Sequence, residues 1–480
     1  MEKVFSLLSL FTKENSIEVY EDFWELRVRC ATNNINVPDA DALENRVKFF
    51  PSRDNVIIDV KLDNDEPVSY HFNGSANEFL DDVDIIKSIK DEDSVFCVTI
   101  VVQKEINSHN ELSVYNSDTF FLHVKSLTFA GIIYSFGEAL ADRESILFRL
   151  QEPCEFFGTY TFYFCGEVDK PKMYCVNREE IISNRNEVAS FLNAAENKFV
   201  PEDFILIKRA SNKEINDLFD RLSLIYCLLF LSNISSLKDD LVYCKLNGYR
   251  TIEKEYEYTS IHLLAYEDYL SIYKWTYNEG NLNDKIGLSR NVISLQAKEN
   301  DFLKLENGTF FSVKSNYEIY LKKNLEKYID IKNKLSEMLM DISKKYSQAI
   351  SEFSSSLKKN FIVLLTFFVT VIIRGLLSGQ NNKVFTQEIK LVSYVVLGIS
   401  VAYLGISIFE ICRDINRIKV NYNRLKLRYA DILEKNDIER IFNYDKDNDD
   451  EIDYVTNNTI AYSVIWILVI IIGCSLIYCL

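Results

Sequence analysis

The last quarter of the chain contains three long apolar runs separated by polar segments. They cover residues 361–377, 391–409 and 459–480, and Arg374 is the only charged residue within them. At 1.5 Å rise per residue, each run is roughly 26 to 33 Å long as a helix, close to the thickness of the hydrocarbon core of a bilayer. The pattern therefore predicts three transmembrane helices in contact with a lipid bilayer.

The distribution of basic residues predicts how these helices are oriented. Lys358 and Lys359 precede the first run, whereas the short connection 378–390 has only two basic residues, Lys383 and Lys390. The segment between the second and third runs is rich in basic residues, namely Arg413, Arg417, Lys419, Arg424, Lys426, Arg428, Lys435 and Arg440. The positive-inside rule then predicts a cytoplasmic N-terminal region and a C-terminus outside. No signal-peptide pattern is present at the N-terminus, which agrees with this orientation.

Two polar segments beside the spans carry apolar residues at alternating steps of three and four. In 317–360 these are Leu321, Leu325, Tyr328, Leu335, Leu339, Ile342, Tyr346 and Phe353. In 410–444 they are Ile411, Ile415, Ile418, Tyr422, Leu425, Tyr429 and Ile432. Such a period is typical of coiled coils and predicts two antiparallel stalk helices. The alternative is that each stripe packs on the soluble region.

The first predicted span carries a polar face. Thr366, Thr370 and Arg374 are four residues apart, so they share one side of a helix. Because lipid disfavours such a face, one interpretation is a pore lining. The alternative is that the threonines bond their own backbone carbonyls while Arg374 reaches the headgroups.

The second predicted span carries small residues instead, at Gly398, Ala402 and Gly405. Small side chains let membrane helices approach closely, so these positions predict helix packing. Three spans cannot enclose a pore alone, and a pore therefore implies a homo-oligomer.

The sequence pattern of the soluble part predicts an α+β fold. We divide it into a β-rich region, 1–130, and a mixed α/β region, 131–316. Runs rich in β-branched and aromatic residues predict strands at 55–62, 94–103, 119–124 and 159–165. The later patterns predict helices at 216–234, 265–277 and 284–296, and a hairpin at 241–258 that turns at Asn247-Gly248.

Charge limits the partners. The net charge of −17 argues against binding to a long nucleic acid, although a small anion such as a nucleotide needs only a local basic pocket. Arg27 and Arg29 share a strand face, and Lys208 and Arg209 form a second basic group. These four are the candidate ligand-binding residues, and no cofactor is expected.

The sequence has no Gly-rich phosphate loop and no zinc-ligand spacing, so no enzymatic activity is expected. Asp39, Asp59 and Lys61 fit a loose nuclease-like pattern in which two carboxylates hold a metal and a lysine assists the water. The alternative, which we favour, is surface charge beside a strand.

The acidic segment 445–458 begins like a calcium-binding loop. Asp445, Asp447 and Asp449 stand at ligand positions, but Asp450 replaces the turn glycine and Thr456 the bidentate glutamate. A solvated acidic linker is the favoured interpretation.

The order of parts, a soluble region followed by a long helix and C-terminal spans, resembles bacterial antiviral-defence membrane effectors such as the ion-channel component of the Hailong type. The resemblance implies a ligand-gated oligomeric channel whose soluble domain senses a signal, in these effectors often a nucleotide messenger. Two alternatives stay open, namely a non-conducting membrane-tethered sensor or scaffold and a membrane-anchored metal-dependent nuclease.

Overall fold

The computed structural model describes residues 1–13, 16–72, 74–278, 280–377 and 386–479. The chain divides into two compact units, Met1–Ile319 and Tyr320–Leu480. The first unit is α+β with three sheets, and the second consists of helices, three of which are long and apolar enough to cross a membrane. The predicted fold class is thereby confirmed.

The first sheet is antiparallel and has the order β1-β2-β5-β3-β4. Its strands are β1 Ile17–Glu21, β2 Glu25–Thr32, β3 Asp54–Leu62, β4 Val68–His71 and β5 Phe96–Lys104. Alternate residues of each strand point to opposite faces. One face joins a buried apolar core with the helices α1 Glu2–Leu8, α2 Ala40–Val47 and α3 Ala76–Ser88. The predicted strands 55–62 and 94–103 correspond to β3 and β5.

The second sheet is mixed, in the order β11-β8-β9-β7-β6. Its strands are β6 Glu111–Val114, β7 Ile146–Leu150, β8 Phe157–Thr159, β9 Phe162–Gly166 and β11 Leu206–Lys208. Helices α4 Ser117–Ser126, α5 Phe129–Leu140 and α7 Lys213–Leu231 contribute to its phenylalanine-rich core. Residues 159–165, predicted as one strand, instead end β8 and form most of β9.

The predicted strand at 119–124 is wrong, because these residues lie in α4. The side chain of Asn116 accepts a hydrogen bond from the Thr119 amide at 2.9 Å and so caps the helix. Phe120, Phe121 and Val124 are then buried on one side of it. Tertiary packing and a cap therefore override the strand preference of these side chains.

The third sheet, β10-β12-β13-β14, is formed by β10 Ser190–Phe191, β12 Ile234–Lys238, β13 Leu241–Asn247 and β14 Thr251–Glu257. It is accompanied by α6 Arg178–Val188, α8 Tyr266–Tyr277 and α9 Leu282–Gln296. The predicted hairpin is present, but Asn247 pairs with Thr251, so its loop has three residues. A Cβ atom at Gly248 would lie 2.4 Å from the carbonyl oxygen of Arg290, which explains the glycine.

The second unit contains the remainder of α10 Thr309–Leu377, then α11 Gln387–Tyr429, α12 Lys435–Ile441 and α13 Lys446–Cys479. The predicted stalk 317–360 and the first apolar run lie within the single helix α10. The predicted stalk 410–444 is interrupted, because α11 ends at Tyr429. Residues 378–385 and Leu480, which belong to the predicted connection and third span, lie outside the described residues.

The predicted acidic linker 445–458 is wrong as a linker, because α13 begins at Lys446 and continues into the third apolar run. Asp447 and Asp449 lie in its first turn, where carboxylates favourably oppose the positive end of the helix dipole. The acidic residues thus start the helix instead of separating it from the stalk.

A buried charge cluster joins the first two sheets. Glu21 is fully buried and accepts hydrogen bonds from Lys104 Nζ at 2.6 Å and from the amides of Tyr115 and Asn116, each at 2.7 Å. Lys104 is also buried, so each charge depends on the other for its solvation.

Replacing this carboxylate should destabilise the soluble unit. Glu21→Gln leaves Lys104 buried without a counter-charge, and we expect the free energy of unfolding to fall by about 3 kcal/mol. Urea unfolding of the detergent-solubilised protein, followed by tryptophan fluorescence, measures the loss. Glu299→Gln, in the exposed pair with Lys304, is the matched control and should change stability by less than about 1 kcal/mol. Equal losses in both variants would contradict this assignment.

Candidate functional site

The three long helices α10, α11 and α13 pack together in the second unit. Outside the three apolar runs, their shared core contains Tyr346, Phe353, Leu357, Ile411, Ile418 and Val455. Within the spans it continues through Leu364, Phe368, Val371, Leu397 and Ile477. Each helix therefore has an inward face buried by its neighbours and an outward face available to lipid or to another chain.

The apolar stripes predicted for the two stalks are buried only in part. Leu335, Tyr346 and Phe353 of α10 are buried, as are Ile411 and Ile418 of α11. At the start of the α10 stripe, Leu321 and Leu325 are exposed. Further along, α12 packs against it through Ile438, in a core shared with Leu335, Tyr422, Leu433 and Phe442.

Close packing of the second span uses three serines that lie near the predicted packing residues Gly398, Ala402 and Gly405 in the sequence. Ser393, Ser400 and Ser407 are all buried on the inward face of α11. Their spacing of seven residues has the period of the stalk stripe, although Leu404 and Leu397 are the residues that continue its register, and this spacing was the available signal. On α13, a Cβ atom at Gly473 would lie 3.1 Å from Leu397 and 3.3 Å from Phe368. Small residues thus allow α13 to approach both neighbours.

One polar cluster connects all three helices. Ser400 of α11 donates a hydrogen bond to Asn360 Oδ1 of α10 at 2.8 Å, and Trp466 Nε1 of α13 donates to the Ser400 hydroxyl at 3.2 Å. Asn360 is 8 % exposed, Ser400 1 % and Trp466 0 %. Since the hydrocarbon core offers no water to these groups, the bonds fix the register and rotation of the helices.

The structure places Thr366, Thr370 and Arg374 together on the outward face of α10, where all three are exposed. The Thr366 hydroxyl donates to the carbonyl of Ile362 at 2.8 Å, and that of Thr370 to the carbonyl of Thr366 at 2.7 Å. The backbone bonds anticipated as the alternative therefore exist within the single chain. Each hydroxyl oxygen still keeps lone pairs that can accept from water or an ion.

The other two outward faces differ from this one. Gly398, Ala402 and Gly405 lie exposed on α11, and a Cβ atom at either glycine would have no described neighbour within 4 Å. They take no part in the helix packing of the single chain. The outward face of α13 is apolar and carries Ile460, Val464, Leu468 and Ile471. The three spans thus present a polar, a small-residue and an apolar surface.

A second candidate site lies on the face of the first sheet opposite its helices. Strand register aligns Glu18, Arg29, Thr99, Asp59 and Ser69 in one row across the five strands. A cleft of about 500 Å³ on this face, here called the sheet cleft, brings together Arg27, Arg29, Asp59 and Lys61 with Tyr20 and Thr99. Two residues predicted for ligand binding and two predicted for catalysis therefore share one surface.

The charges of the sheet cleft differ in how they are engaged. Arg27 pairs with Glu25 at 3.0 Å, and Asp59 accepts a hydrogen bond from the Ser69 hydroxyl at 2.6 Å. Arg29 donates from Nε to Cys97 Sγ at 3.0 Å, which leaves its two terminal nitrogens available. Lys61 forms no ion pair with any residue that the structure describes. Arg29 and Lys61 are the cations best able to receive an anion.

The third residue of the nuclease-like pattern does not join the sheet cleft. Asp39 precedes α2, whose Leu43 and Val47 pack on the opposite side of the sheet together with Ile58 and Val60. Asp59 and Lys61 point away from that side. Among the described residues, no group of three or more His, Cys, Asp or Glu is arranged to hold a metal ion. The arrangement does not favour metal-dependent hydrolysis.

The remaining candidates are engaged in structural contacts. Asp445, at a candidate calcium-ligand position, accepts hydrogen bonds from Lys426 at 2.6 Å and from the Tyr422 hydroxyl at 2.7 Å. The bond from Lys426 holds the pKa of Asp445 below its usual range. Arg209 pairs with Asp220 at 2.9 Å. The ammonium of Lys208 lies 5.9 Å from the ring centre of Phe156.

Comparison of the chain with known protein families, with curated proteins and with solved structures finds no match.

The polar cluster yields a test of the bundle. Asn360→Leu removes the acceptor of Ser400 and should lower the stability of the helical unit by about 1 kcal/mol. Thermal unfolding in detergent, followed by helical circular dichroism, measures the change. Thr366→Val is the matched control, because its hydroxyl bonds only its own helix and faces outward, so we expect almost no effect. A control loss as large as that of Asn360→Leu would refute the cluster's role.

Proposed function

We propose that this chain is one subunit of an oligomeric membrane channel that is opened by a ligand bound to its soluble region. The supporting observation is the exposed polar line on α10, formed by Thr366, Thr370 and Arg374 opposite the packed face of the helix. Lipid disfavours a charged side chain at this depth, whereas a water-filled pore accommodates it. An Arg374 from every subunit would form a ring of positive charge at one end of the pore.

The two other faces suit the same arrangement. Three helices packed on one another enclose no channel, so several copies must surround it. The exposed Gly398, Ala402 and Gly405 permit close contact between the second span of one copy and a neighbouring copy. The apolar outer face of α13 is suited to lipid.

For the orientation, we propose a cytoplasmic N-terminal region, an external C-terminus and a bacterial inner membrane. The support is the excess of Lys and Arg between the second and third spans over the connection 378–390. A role in antiviral defence rests on the order of parts that the chain shares with defence effectors.

For the ligand, we propose a small anion of the nucleotide class bound in the sheet cleft. Arg29 and Lys61 supply positive charge that is free to pair with a phosphate. Tyr20, 43 % exposed at the same surface, offers a ring for stacking. Glu18 and Asp59 lie on the same face and would repel a ligand whose phosphate groups extend across the whole sheet cleft.

A non-conducting, membrane-tethered sensor is the second candidate. It is supported by the hydrogen bonds of Asn360, Ser400 and Trp466, which satisfy polar groups of all three spans within one chain. A bundle of this kind can stay in the membrane without a partner.

Substitutions on the polar face separate the two candidates. Arg374→Gln together with Thr370→Val should lower the anion-to-cation permeability ratio by roughly twofold to tenfold, since a ring of positive charge enriches anions locally. The measurement is the reversal potential in planar bilayers, accompanied by the membrane potential of cells expressing the protein alone and with its neighbouring genes.

The control for conduction is Leu468→Thr, a polar substitution on the outward face of the third span. It should leave the reversal potential unchanged at equal protein level. Absence of any current under all activating conditions would reject the channel and favour the tethered sensor.

The sheet cleft makes a separate prediction. Arg29→Gln with Lys61→Gln should weaken binding of ATP or pyrophosphate by about tenfold or more, because each change removes a charge-assisted hydrogen bond. Isothermal titration calorimetry on the full-length protein in detergent measures the affinity. The control Lys208→Gln removes one positive charge outside the sheet cleft and should have little effect. Equal affinity in the double variant and the original protein would exclude this surface.

A further inference from the structure

A cavity of about 250 Å³ lies between α10, α11, α12 and α13, outside the three apolar runs. We call it the stalk cavity. Its walls are largely aromatic and aliphatic, and they are formed by Leu339, Met340, Ile342, Tyr346, Tyr422, Ile441 and Phe442. The rings of Tyr422 and Phe442 meet at 81° with centroids 5.3 Å apart, so they form a corner of two perpendicular surfaces.

A strained turn holds this corner in place. Asn443, Tyr444 and Asp445 follow Phe442 directly and have φ values of 46°, 53° and 67°. Side chains other than glycine disfavour this left-handed region by roughly 1 to 2 kcal/mol per residue. The contacts of Asp445 with Lys426 and Tyr422 help to stabilise the turn.

The polar part of the stalk cavity is negatively charged. Asp447 and Glu451 line it, one turn apart on α13. Asp447 accepts a hydrogen bond from the side-chain amide Nδ2 of Asn443 at 2.7 Å, and Glu451 accepts one from the Ser343 hydroxyl. Neither carboxylate forms an ion pair with a residue that the structure describes. The negative charge of the stalk cavity is therefore not neutralised within the chain.

The lysine that contacts one wall of the stalk cavity does not neutralise this charge. Lys426 pairs with Asp445 at 2.6 Å, and it does not line the stalk cavity. Its ammonium lies 5.8 Å from the ring centre of Phe442, so that ring already receives a cation on one face. Burial and the neighbouring carboxylates raise the pKa of Tyr346 to about 12, which keeps this wall uncharged at neutral pH.

Aromatic walls beside unpaired carboxylates have a specific chemical preference. A metal ion would require several oxygen ligands in place of rings, and a neutral apolar molecule would gain nothing from the carboxylates. Alkylated ammonium groups satisfy both, because they attract the faces of aromatic rings and remain only weakly hydrated. We infer that the stalk cavity is a binding site for a small organic cation of the methylated or quaternary ammonium class.

Such a ligand would contact three helices that contain predicted spans, because Tyr422 belongs to α11, which contains the second. Tyr346 belongs to α10, which contains the first span, and Asp447 and Glu451 belong to α13, which contains the third. The inference concerns binding alone and does not depend on the proposed channel or on the sheet cleft.

The test uses choline as the probe, titrated calorimetrically into the full-length protein in detergent. Choline should bind, and its neutral analogue with carbon in place of nitrogen should bind at least about tenfold more weakly. Asp447→Asn with Glu451→Gln should weaken choline binding by about tenfold or more, because both lining carboxylates lose their charge. Tyr346→Leu should weaken it as well while leaving both carboxylates in place.

The matched control is Asp450→Asn with Asp453→Asn. It removes the same charge from exposed positions of α13 that do not line the stalk cavity, and it should keep choline affinity within about twofold. Helical circular dichroism verifies that each variant is folded. No choline binding, equal binding of the neutral analogue, or equal weakening in the control would each overturn the inference.

Discussion

The absence of water in the hydrocarbon core constrains this protein more than any other factor. A polar group buried there is stabilised by a partner in the chain, and Asn360, Ser400 and Trp466 bond one another across three helices. Rotating any of these helices by a quarter turn would move its polar group away from its partners. The rotation of each span, and so the identity of each outward face, follows from this one cluster.

The outward faces acquire their meaning from that rotation. With Leu364 and Phe368 turned inward, Thr366, Thr370 and Arg374 must face outward on α10. With Ser400 inward, Gly398, Ala402 and Gly405 of α11 face outward as well. A single chain gains nothing from a polar face and a small-residue face at its periphery, whereas an assembly of copies can use both. This contrast with the apolar face of α13 supports the proposed oligomer.

How much could be predicted from sequence varied with the range of the interactions involved. The spans were predictable because lipid selects on local composition, and strands β3 and β5 because their alternation is local. Residues 119–124 were mistaken for a strand because the Asn116 cap and the surrounding core decide for helix. Predicting that Arg29 lies near Asp59 and Lys61 requires the register of the strands. Predicting that Asp39 lies on the other side of the sheet requires knowing which face the helices cover. Neither can be obtained from spacing along the chain.

The same cluster limits how the proposed channel could open. Turning α10 alone would break the bond between Asn360 and Ser400, whose side chains are both buried within the helix bundle, away from water. Ser393 and Ser407 are buried on the same face of α11, but their hydroxyls have no hydrogen-bond partner among the described residues, so they do not add to the bonds between the helices. Tilting the three helices as one body moves Thr370 and Arg374 relative to a neighbouring copy and breaks none of these bonds. Rigid tilting of whole subunits therefore costs less than turning α10 alone.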